Sequence, residues 1–478
     1  MFMYLKFLQK LSPPLHMNRS AGIGALLALL LTWPAFAQHG GGRGTGAPPA
    51  EPDTPAIFPD LAARQAALEE AGWMLRGQST FVQQFHPAFR APYRGENSLG
   101  AGAQGRNTLS LDIVVGRKLW EGAEVIIDPQ VSRGYGLSGT RGLAAFPNGE
   151  AFRIGSDWPT LYVARAFVRQ TIALSGERDV PEHDPLRFAG PLPRERLTIT
   201  AGKFPVFDIF DDNRYAHDPR TQFLNWAFAS AGAFDFANDA KGFTNGVAIE
   251  WDNGVWGLRG GAFQVAKRIN SLSLDPKPFR GFQLLAQLDR FFEWGGRPGA
   301  VRLLYGLSRT RAQRWDDLVA GDITATEVSP DNRSTLKHML VLNAEQELRD
   351  DLGAFARLSW NDGRAQNWMY TEMDWAASAG LSWTGQRWGR PADTVGLAGN
   401  LGGLSRSHQR FLEAGGLGFI TGDGRLRTRP ELAAEAYYSW RAAPGTDLTA
   451  DLQVFGNPAY NADRGPVLVL GLRARVAF

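Results

Sequence analysis

The chain has 478 residues, of which 44% are hydrophobic and 21% charged, and it contains 55 Gly, 15 Trp and no Cys. This composition excludes a disordered chain, and the lack of cysteine excludes a disulfide scaffold, a Cys-ligated zinc site and a cysteine nucleophile. The net charge of +3 depends on Lys6, Lys10 and Arg19, because 48 basic and 48 acidic residues remain without them. The charge therefore gives no support to a nucleic acid partner.

The first part of the chain predicts export. Residues 17–37, MNRSAGIGALLALLLTWPAFA, combine a basic start, an apolar stretch of about a dozen residues and small residues at Ala35 and Ala37. We therefore expect a signal peptide over residues 1–37; a membrane anchor is the alternative, which the short stretch and the cleavage pattern disfavour. Residues 38–59 are rich in Gly, Pro and Ala and predict a flexible tether.

One short helix is predicted over residues 60–72, with Asp60 as its N-cap and Gly72 as its end. After residue 37 no apolar run reaches the roughly 18 residues of a membrane helix, so any later span must consist of β-strands. From Gly72 onward the sequence alternates with a period of two, which is typical of strands with one polar and one apolar face.

The alternation is clearest in the last segment, where Leu470 and Leu472 share one face and Arg473 and Arg475 share the other. In residues 160–172 the same rule places Tyr162 and Ala164 on the apolar face, opposite Arg165 and Arg169. Gly, Pro, Asn and Asp clusters divide the chain into sixteen candidate strands. They are residues 74–85, 108–118, 122–131, 159–173, 195–204, 243–252, 255–265, 280–291, 300–309, 337–349, 353–361, 377–384, 393–402, 431–441, 446–456 and 466–478.

Alternation alone suits a soluble sandwich as well as a membrane barrel. Three features together favour the barrel: the export signal, strands of about ten residues with aromatic ends, and the final strand ending in Phe478. We therefore predict an all-β fold, a transmembrane antiparallel β-barrel of sixteen strands. Residues 132–158, 205–242 and 403–430 are too polar for spans, and we expect them to form external or infolded loops. A barrel of this size encloses a pore.

Residues 201–251, AGKFPVFDIFDDNRYAHDPRTQFLNWAFASAGAFDFANDAKGFTNGVAIEW, resemble the central signature of the carbohydrate-selective outer-membrane porins of the OprB family. Residues 77–99, 352–364, 386–400 and 457–478 resemble further blocks of that family in the same order. The resemblance implies a monomeric sixteen-stranded barrel in the outer membrane of a Gram-negative bacterium. It also implies passive diffusion of sugars through an arginine-bearing constriction, with lipid and lipopolysaccharide as surroundings and no cofactor. Gln130 is a departure, since many relatives are expected to have Glu there.

A sugar-selective pore needs donors, acceptors and aromatic faces in a narrow zone, because sugar hydroxyls both donate and accept and sugar C–H faces are weakly apolar. The loop over residues 207–228 holds the densest mixture of these groups. The alternative interpretation for each residue is a structural ion pair in the barrel wall or in an external loop. Our candidates for the constriction are Arg165, Arg169, Arg214, Arg220, Asp128, Arg133, Glu435, Asp451, Arg473 and Arg475.

Catalysis and metal binding have little support in the sequence. It contains no GxSxG, HExxH or Walker A motif, and the Asp211–Asp212–Asn213 run lacks the spacing of an EF-hand. We therefore expect neither an enzyme nor a metal site. The first hypothesis is a porin with a preference for carbohydrates, above all monosaccharides such as glucose. The alternatives are a general or anion-preferring porin for small organic acids, and an exported β-rich sugar-binding surface protein without a pore.

Overall fold

The computed structural model describes residues 59–153, 155–179, 184–324 and 333–478, with side chains from residue 64 onward. The predicted signal peptide and the tether, apart from Pro59, lie outside the described residues and stay predictions. The predicted N-terminal helix is observed as α1, Pro59–Glu70. The other helices are α2 Trp226–Ala229, α3 Trp315–Ala320 and α4 Arg406–Glu413, with 3-10 turns at Leu137–Gly139, Val206–Asp208, Gln386–Trp388 and Pro458–Tyr460. Among these helices none is long and apolar enough to cross a membrane.

Strands account for most of the rest of the described chain. In chain order they are β1 Trp73–His86, β2 Gln104–Trp120, β3 Ala123–Gly134, β4 Ser156–Ala173, β5 Arg178–Asp179, β6 Leu192–Pro193, β7 Arg196–Phe204, β8 Thr244–Asp252, β9 Trp256–Phe263, β10 Phe282–Trp294, β11 Arg297–Thr310, β12 Thr335–Arg349, β13 Leu352–Asn361, β14 Trp375–Gly385, β15 Arg390–Gly403, β16 Glu431–Ala443, β17 Thr446–Gly456 and β18 Val467–Ala477.

Sixteen of the described strands, all except the two-residue pair β5 and β6, form one closed antiparallel barrel. Within the barrel, each strand pairs with the barrel strands before and after it in the chain, so that β4 pairs with β7. The barrel closes where β1 pairs with β18, from Gln78 opposite Ala477 to Phe85 opposite Leu470. Gly77 and Phe478 complete this seam by exchanging two backbone hydrogen bonds of 2.9 Å. Every candidate strand of the sequence analysis corresponds to one of the sixteen, so the predicted barrel is confirmed.

The connections differ between the two ends of the barrel. At the end that holds Trp73 and Phe478, most strands are joined by tight turns, such as residues 253–255, 295–296 and 444–445. The other end holds longer loops, including residues 135–155, 205–243, 362–374 and 404–430. Bacterial outer-membrane barrels have short periplasmic turns and longer extracellular loops, so this end is the outer one.

The two faces of the strands follow the predicted alternation in most places. On β18, Leu470 and Leu472 are 46% and 63% exposed, whereas Arg473 and Arg475 are buried on the inner face. The exposed leucines form an apolar outer surface that lipid covers in a membrane. The inner surface holds polar and charged side chains, which contact the loops that enter the barrel.

The prediction for Tyr162 is wrong. In β4 the pairing with β3 shifts between Asp128, opposite Arg165, and Pro129, opposite Val163, so Ala164 is an extra residue in the strand. Such a bulge reverses the faces on one side of it. Leu161 and Val163 therefore face outward, and the Tyr162 hydroxyl donates a hydrogen bond to Gln130 Oε1 inside the barrel.

A charge on the outer surface tests this orientation. We expect Leu472→Arg to lower the free energy of unfolding by about 2–4 kcal/mol, because it places a guanidinium against lipid near the middle of β18. Urea titration in lipid vesicles, followed by the mobility difference between unheated and boiled samples on detergent gels, measures the change. Leu472→Ala is the control; an equal loss for both variants would contradict a lipid-facing position.

Candidate functional site

Residues 205–243, called the infolded loop below, lie inside the barrel rather than over its outer mouth. Phe210, Phe228, Phe234 and Phe236 of this loop have no solvent-exposed surface. Of the two predicted placements for this loop, infolded and external, the structure shows the infolded one. The loop narrows the wide lumen that sixteen strands would otherwise leave open.

Inward side chains of the barrel wall hold the infolded loop through its backbone. The Glu435 carboxylate accepts hydrogen bonds from the Leu224 and Asn225 N–H groups at 2.6 and 2.8 Å. Arg473 donates to the carbonyl oxygens of Pro219 and Gln222, both at 2.7 Å. These contacts satisfy backbone groups that the lumen would otherwise leave unpaired.

A second anchor centres on the buried carboxylate of Asp211. Arg357 Nε donates to Asp211 Oδ1 at 3.0 Å, and the same guanidinium donates to the backbone oxygens of Phe228 and Ala216 at 2.7 and 2.8 Å. Asn343 Nδ2 also donates to Asp211 Oδ1, at 2.7 Å. The Asp–Asp–Asn run that could suggest a cation site in the sequence is therefore bound, at Asp211, by an arginine of the wall.

Three further carboxylates bind the backbones of neighbouring loops. Asp235 accepts from the N–H groups of residues 368–370, and Glu372 accepts from those of residues 419–421. Glu431 accepts from Ala144, Ala145 and Ala459. The infolded loop and its neighbours thus form one hydrogen-bonded body inside the barrel.

Arg165 and its two carboxylates lie where this body meets the wall. Arg165 Nε and Nη2 bind both oxygens of Asp208 at 2.7 and 2.9 Å, and Nη1 binds Asp128 Oδ2 at 2.9 Å. The bidentate pair with Asp208 joins β4 to the infolded loop and fixes the plane of the guanidinium. Asp128 belongs to β3, so three segments converge on this one arginine.

Arg220 occupies a similar position on the infolded loop itself. Its Nη1 donates to Asp112 Oδ2 at 2.6 Å, and its Nε donates to Glu150 Oε1 at 2.8 Å. Burial by itself lowers the pKa of Arg220, but the attraction of Asp112, Glu150 and Asp218 outweighs it and holds the pKa well above its usual value. Arg220 is therefore a fixed cation at any physiological pH.

Aromatic side chains of the infolded loop and of its neighbouring loops form a cluster that lines part of a cavity in the lumen. Trp226 stacks on Phe146 at 5.6 Å and meets the edge of Tyr370 at 4.0 Å between ring centroids. Phe236 packs against Tyr370 and Phe207 at 4.4 and 5.5 Å. Through Phe146, Phe207 and Tyr370, this cluster contributes to the cavity lining.

The cavity has about 1200 Å³ of space not filled by atoms, including its open mouth. Its lining combines the wall, the infolded loop, outer loops and, through Pro185 and Leu186, the connection between β4 and β7 at the inner end. The described lining holds equal numbers of acidic and cationic side chains. The acids are Asp128, Glu150, Asp208 and Asp218, and the cations are Arg153, Arg165, Arg220 and Lys241. Gln130 also lines it, so the position where a relative was expected to have Glu does face the lumen.

The structure brings three of the predicted site residues to this cavity: Asp128, Arg165 and Arg220. Arg169 lies nearer the short turns, bound to Glu124 at 2.8 Å and to the Leu186 carbonyl at 2.9 Å. Arg214 pairs with Glu347 on the wall, and Arg133 is exposed and donates to the Asp157 carbonyl. Glu435 and Arg473 anchor the infolded loop as described above, Asp451 accepts from Gln453, and Arg475 binds Asp447 and Gln78.

The sequence analysis did not select Asp112, Glu150 or Lys241. Asp112 carried a usable signal, since it is a lone acid at an inward position of an apolar strand. Glu150 and Lys241 lie in loops without periodicity, so no pattern could assign them a direction.

The comparisons with known proteins agree with this geometry. The sequence matches the family described as carbohydrate-selective porin, OprB family, over residues 96–478. The chain belongs to this family. The high-pH structure of Pseudomonas putida OprB superimposes with a TM-score of 0.65 at 16% identity, covering 88% of this chain and 97% of that chain.

Two further solved structures cover most of the chain. The low-pH structure of P. putida OprB has a TM-score of 0.49 at 13% identity, over 88% of this chain and 97% of that chain. The outer membrane channel DcaP of Acinetobacter baumannii has a TM-score of 0.48 at 11% identity, over 86% and 98%. No curated protein gives a significant match to the sequence.

Family membership and the closed barrel together identify an outer-membrane sugar porin of a Gram-negative bacterium. The protein is thus a channel.

Removing one anchor tests whether the infolded loop depends on it. We expect Arg357→Met to lower the free energy of unfolding by about 3–5 kcal/mol, because Asp211 would stay buried without its cationic partner. Urea unfolding of the folded barrel in detergent measures the loss. Arg387→Met, which removes an exposed partner of Asp351, is the matched control and should cost far less. A loss in Arg357→Met as small as the loss in Arg387→Met would show that the stability of the barrel does not depend on the Asp211 anchor.

Proposed function

We propose that this channel conducts neutral carbohydrates, above all monosaccharides such as glucose, by passive diffusion through a constriction at Arg165, Arg220 and Asp128. The proposal rests on one observation, that two arginines fixed by carboxylates share a cavity with a cluster of aromatic rings. Fixed donors, acceptors and apolar faces are the groups that replace the hydration shell of a sugar.

The arginines keep hydrogen-bonding capacity for a passing solute. Arg165 uses three N–H groups for Asp128 and Asp208, and a guanidinium carries more donors than these. The carboxylates of Asp208 and Glu150, which bind Arg165 and Arg220, keep 13% and 10% of their side-chain surface exposed. Donor and acceptor positions thus lie side by side, as the vicinal hydroxyls of a sugar require.

The balance of charge favours neutral solutes over anions. The described lining holds four acids and four cations, so it has no basic excess that would concentrate small organic acids. An anion-preferring porin would carry such an excess at its narrowest part. The lumen of one barrel holds the whole cavity, so the proposed channel needs no second copy of the chain. That the protein is a monomer stays a prediction.

Sugar block of the ion current tests the proposal. We expect the conductance of the mature protein in planar bilayers to fall saturably with glucose, because bound sugar displaces ions from the constriction. Arg165→Gln and Arg220→Gln should each weaken glucose binding about tenfold, the effect of losing one charge-assisted hydrogen bond. Arg410→Ala, which removes the exposed ion pair between Arg410 of α4 and Asp316 of α3, is the control and should leave binding unchanged.

The gel-mobility difference between unheated and boiled samples shows whether each variant is folded. A large conductance that is indifferent to sugar and selective for anions would overturn the proposal in favour of the general porin. Absence of any channel would favour the sugar-binding protein without a pore.

Ion selectivity gives a second, independent test. Asp128→Asn removes one negative charge from the lining and should shift the selectivity of the channel toward anions. The reversal potential in a tenfold KCl gradient measures the shift. Asp316→Asn is the control, because Asp316 is exposed, pairs with Arg410 and lies outside the cavity. An unchanged potential in Asp128→Asn would place the current path elsewhere.

A further inference from the structure

The charges of the cavity are sorted along the pore axis. On β3 the inward residues Asp128, Gln130 and Ser132 follow one another toward the outer end, with about 7 Å along the strand between successive inward positions. Arg165 binds Asp128, whereas Lys241 Nζ donates to Ser132 Oγ at 2.9 Å. The cavity therefore has an inner level at Asp128 and an outer level at Ser132.

The inner level carries more acids than bases. Arg165 is bound there by Asp128 and Asp208. Arg220 lies between the two levels, because it binds Asp112, which is opposite Gln130, and Glu150, which accepts from Ser110, opposite Ser132. Each arginine is bound by two carboxylates, so the path inward from the outer level is negative as a whole.

The outer level carries cations that no carboxylate binds. The charge of Lys241 lies over the rings of Tyr162 and Phe152, at 4.1 and 4.8 Å from the centroids. Arg153, from an outer loop, donates to Asn270 Oδ1 at 2.7 Å. Within the described residues neither cation has a carboxylate oxygen within 4.0 Å.

Lys241 is only 8% exposed, and it lines the cavity. Burial lowers the pKa of Lys241, against the attraction of Asp239. A buried cation with no carboxylate in direct contact is costly, and an anion supplied by a ligand would relieve that cost.

We propose that Lys241 and Arg153 form an anion subsite that binds the carboxylate of a sugar acid, such as a uronate, at the outer level of the cavity. The proposal rests on the proposed function, since it uses the same sugar pathway. Phe152, Tyr162 and Phe243 form a continuous aromatic wall beside Lys241, with centroids 6.2 and 5.8 Å apart, on which the sugar ring lies.

The charges on the inner side of this subsite determine from which end of the pore a sugar acid reaches it. The excess of carboxylates around Arg165 and Arg220 repels a second carboxylate, whereas it does not repel a neutral sugar. A sugar acid therefore enters from the outer end, binds at Lys241 and leaves mainly by the same end. The subsite holds acidic sugars at the entrance of a channel that passes neutral ones.

Current block by glucuronate and by glucose, which share a ring, tests the subsite in planar bilayers. We expect glucuronate added at the outer end to reduce the current at concentrations about tenfold lower than glucose does, and to act far more weakly from the other end. Lys241→Met keeps the apolar stem and removes the charge. It should lower the ratio of glucuronate affinity to glucose affinity about tenfold.

Arg153→Met is a second variant that should also lower the ratio of glucuronate affinity to glucose affinity. The difference in glucuronate block between the two ends is measured on the unaltered protein, so that test does not depend on any variant. Lys267→Met, at an exposed lysine of an outer loop, is the matched control and should change neither affinity. A glucuronate block that is equal from both ends, or equal in Lys241→Met and Lys267→Met, would overturn the subsite. If glucose blocks as expected and glucuronate does not, the subsite alone is wrong; if neither blocks, the proposed function is wrong as well.

Discussion

Backbone N–H groups that enter the barrel need acceptors, and buried carboxylates provide them. A loop folded into a lumen exchanges water for protein, and each unpaired backbone group would cost as much as a lost hydrogen bond. Asp211, Asp235, Glu372, Glu431 and Glu435 each accept from one or more backbone N–H groups of the infolded loop and its neighbours. Arg357 and Arg473 do the same for carbonyl oxygens. Without this arrangement the loops could not stay inside the barrel.

The same requirement explains why so many inward charges are not pore residues. An acid such as Glu435 is buried and occupied by two backbone N–H groups, whereas Asp208 lines the cavity and keeps 13% of its side-chain surface exposed. Arg165 and Arg220 combine both roles, because they join the loop to the wall and also line the cavity. In the proposed function, rigid placement of these donors lets a hydrated solute exchange its water without a rearrangement of the protein.

Prediction from the sequence succeeded where a period of two was long enough to define a face. The leucines and arginines of β18 show this, and all sixteen strands of the barrel follow from the same signal. It failed at Tyr162, because Ala164 adds one residue to β4 and no propensity marks that bulge. The sequence analysis also predicted Glu435 and Arg473 as constriction residues together with Arg165. All three are inward charges, and the alternation cannot show that only Arg165 of the three lines the cavity.

The sequence by itself determined the fold class, the number of strands and the polar character of the lumen, because these depend on alternation and on local turn chemistry. The family followed from the resemblance of residues 201–251 and four further blocks to known porins. Only the tertiary structure decided which charges meet. Arg165 with Asp208 and Arg220 with Asp112 come from segments far apart in the chain, and the path of the infolded loop brings them together. That path depends on contacts with many strands at once, so no local pattern encodes it.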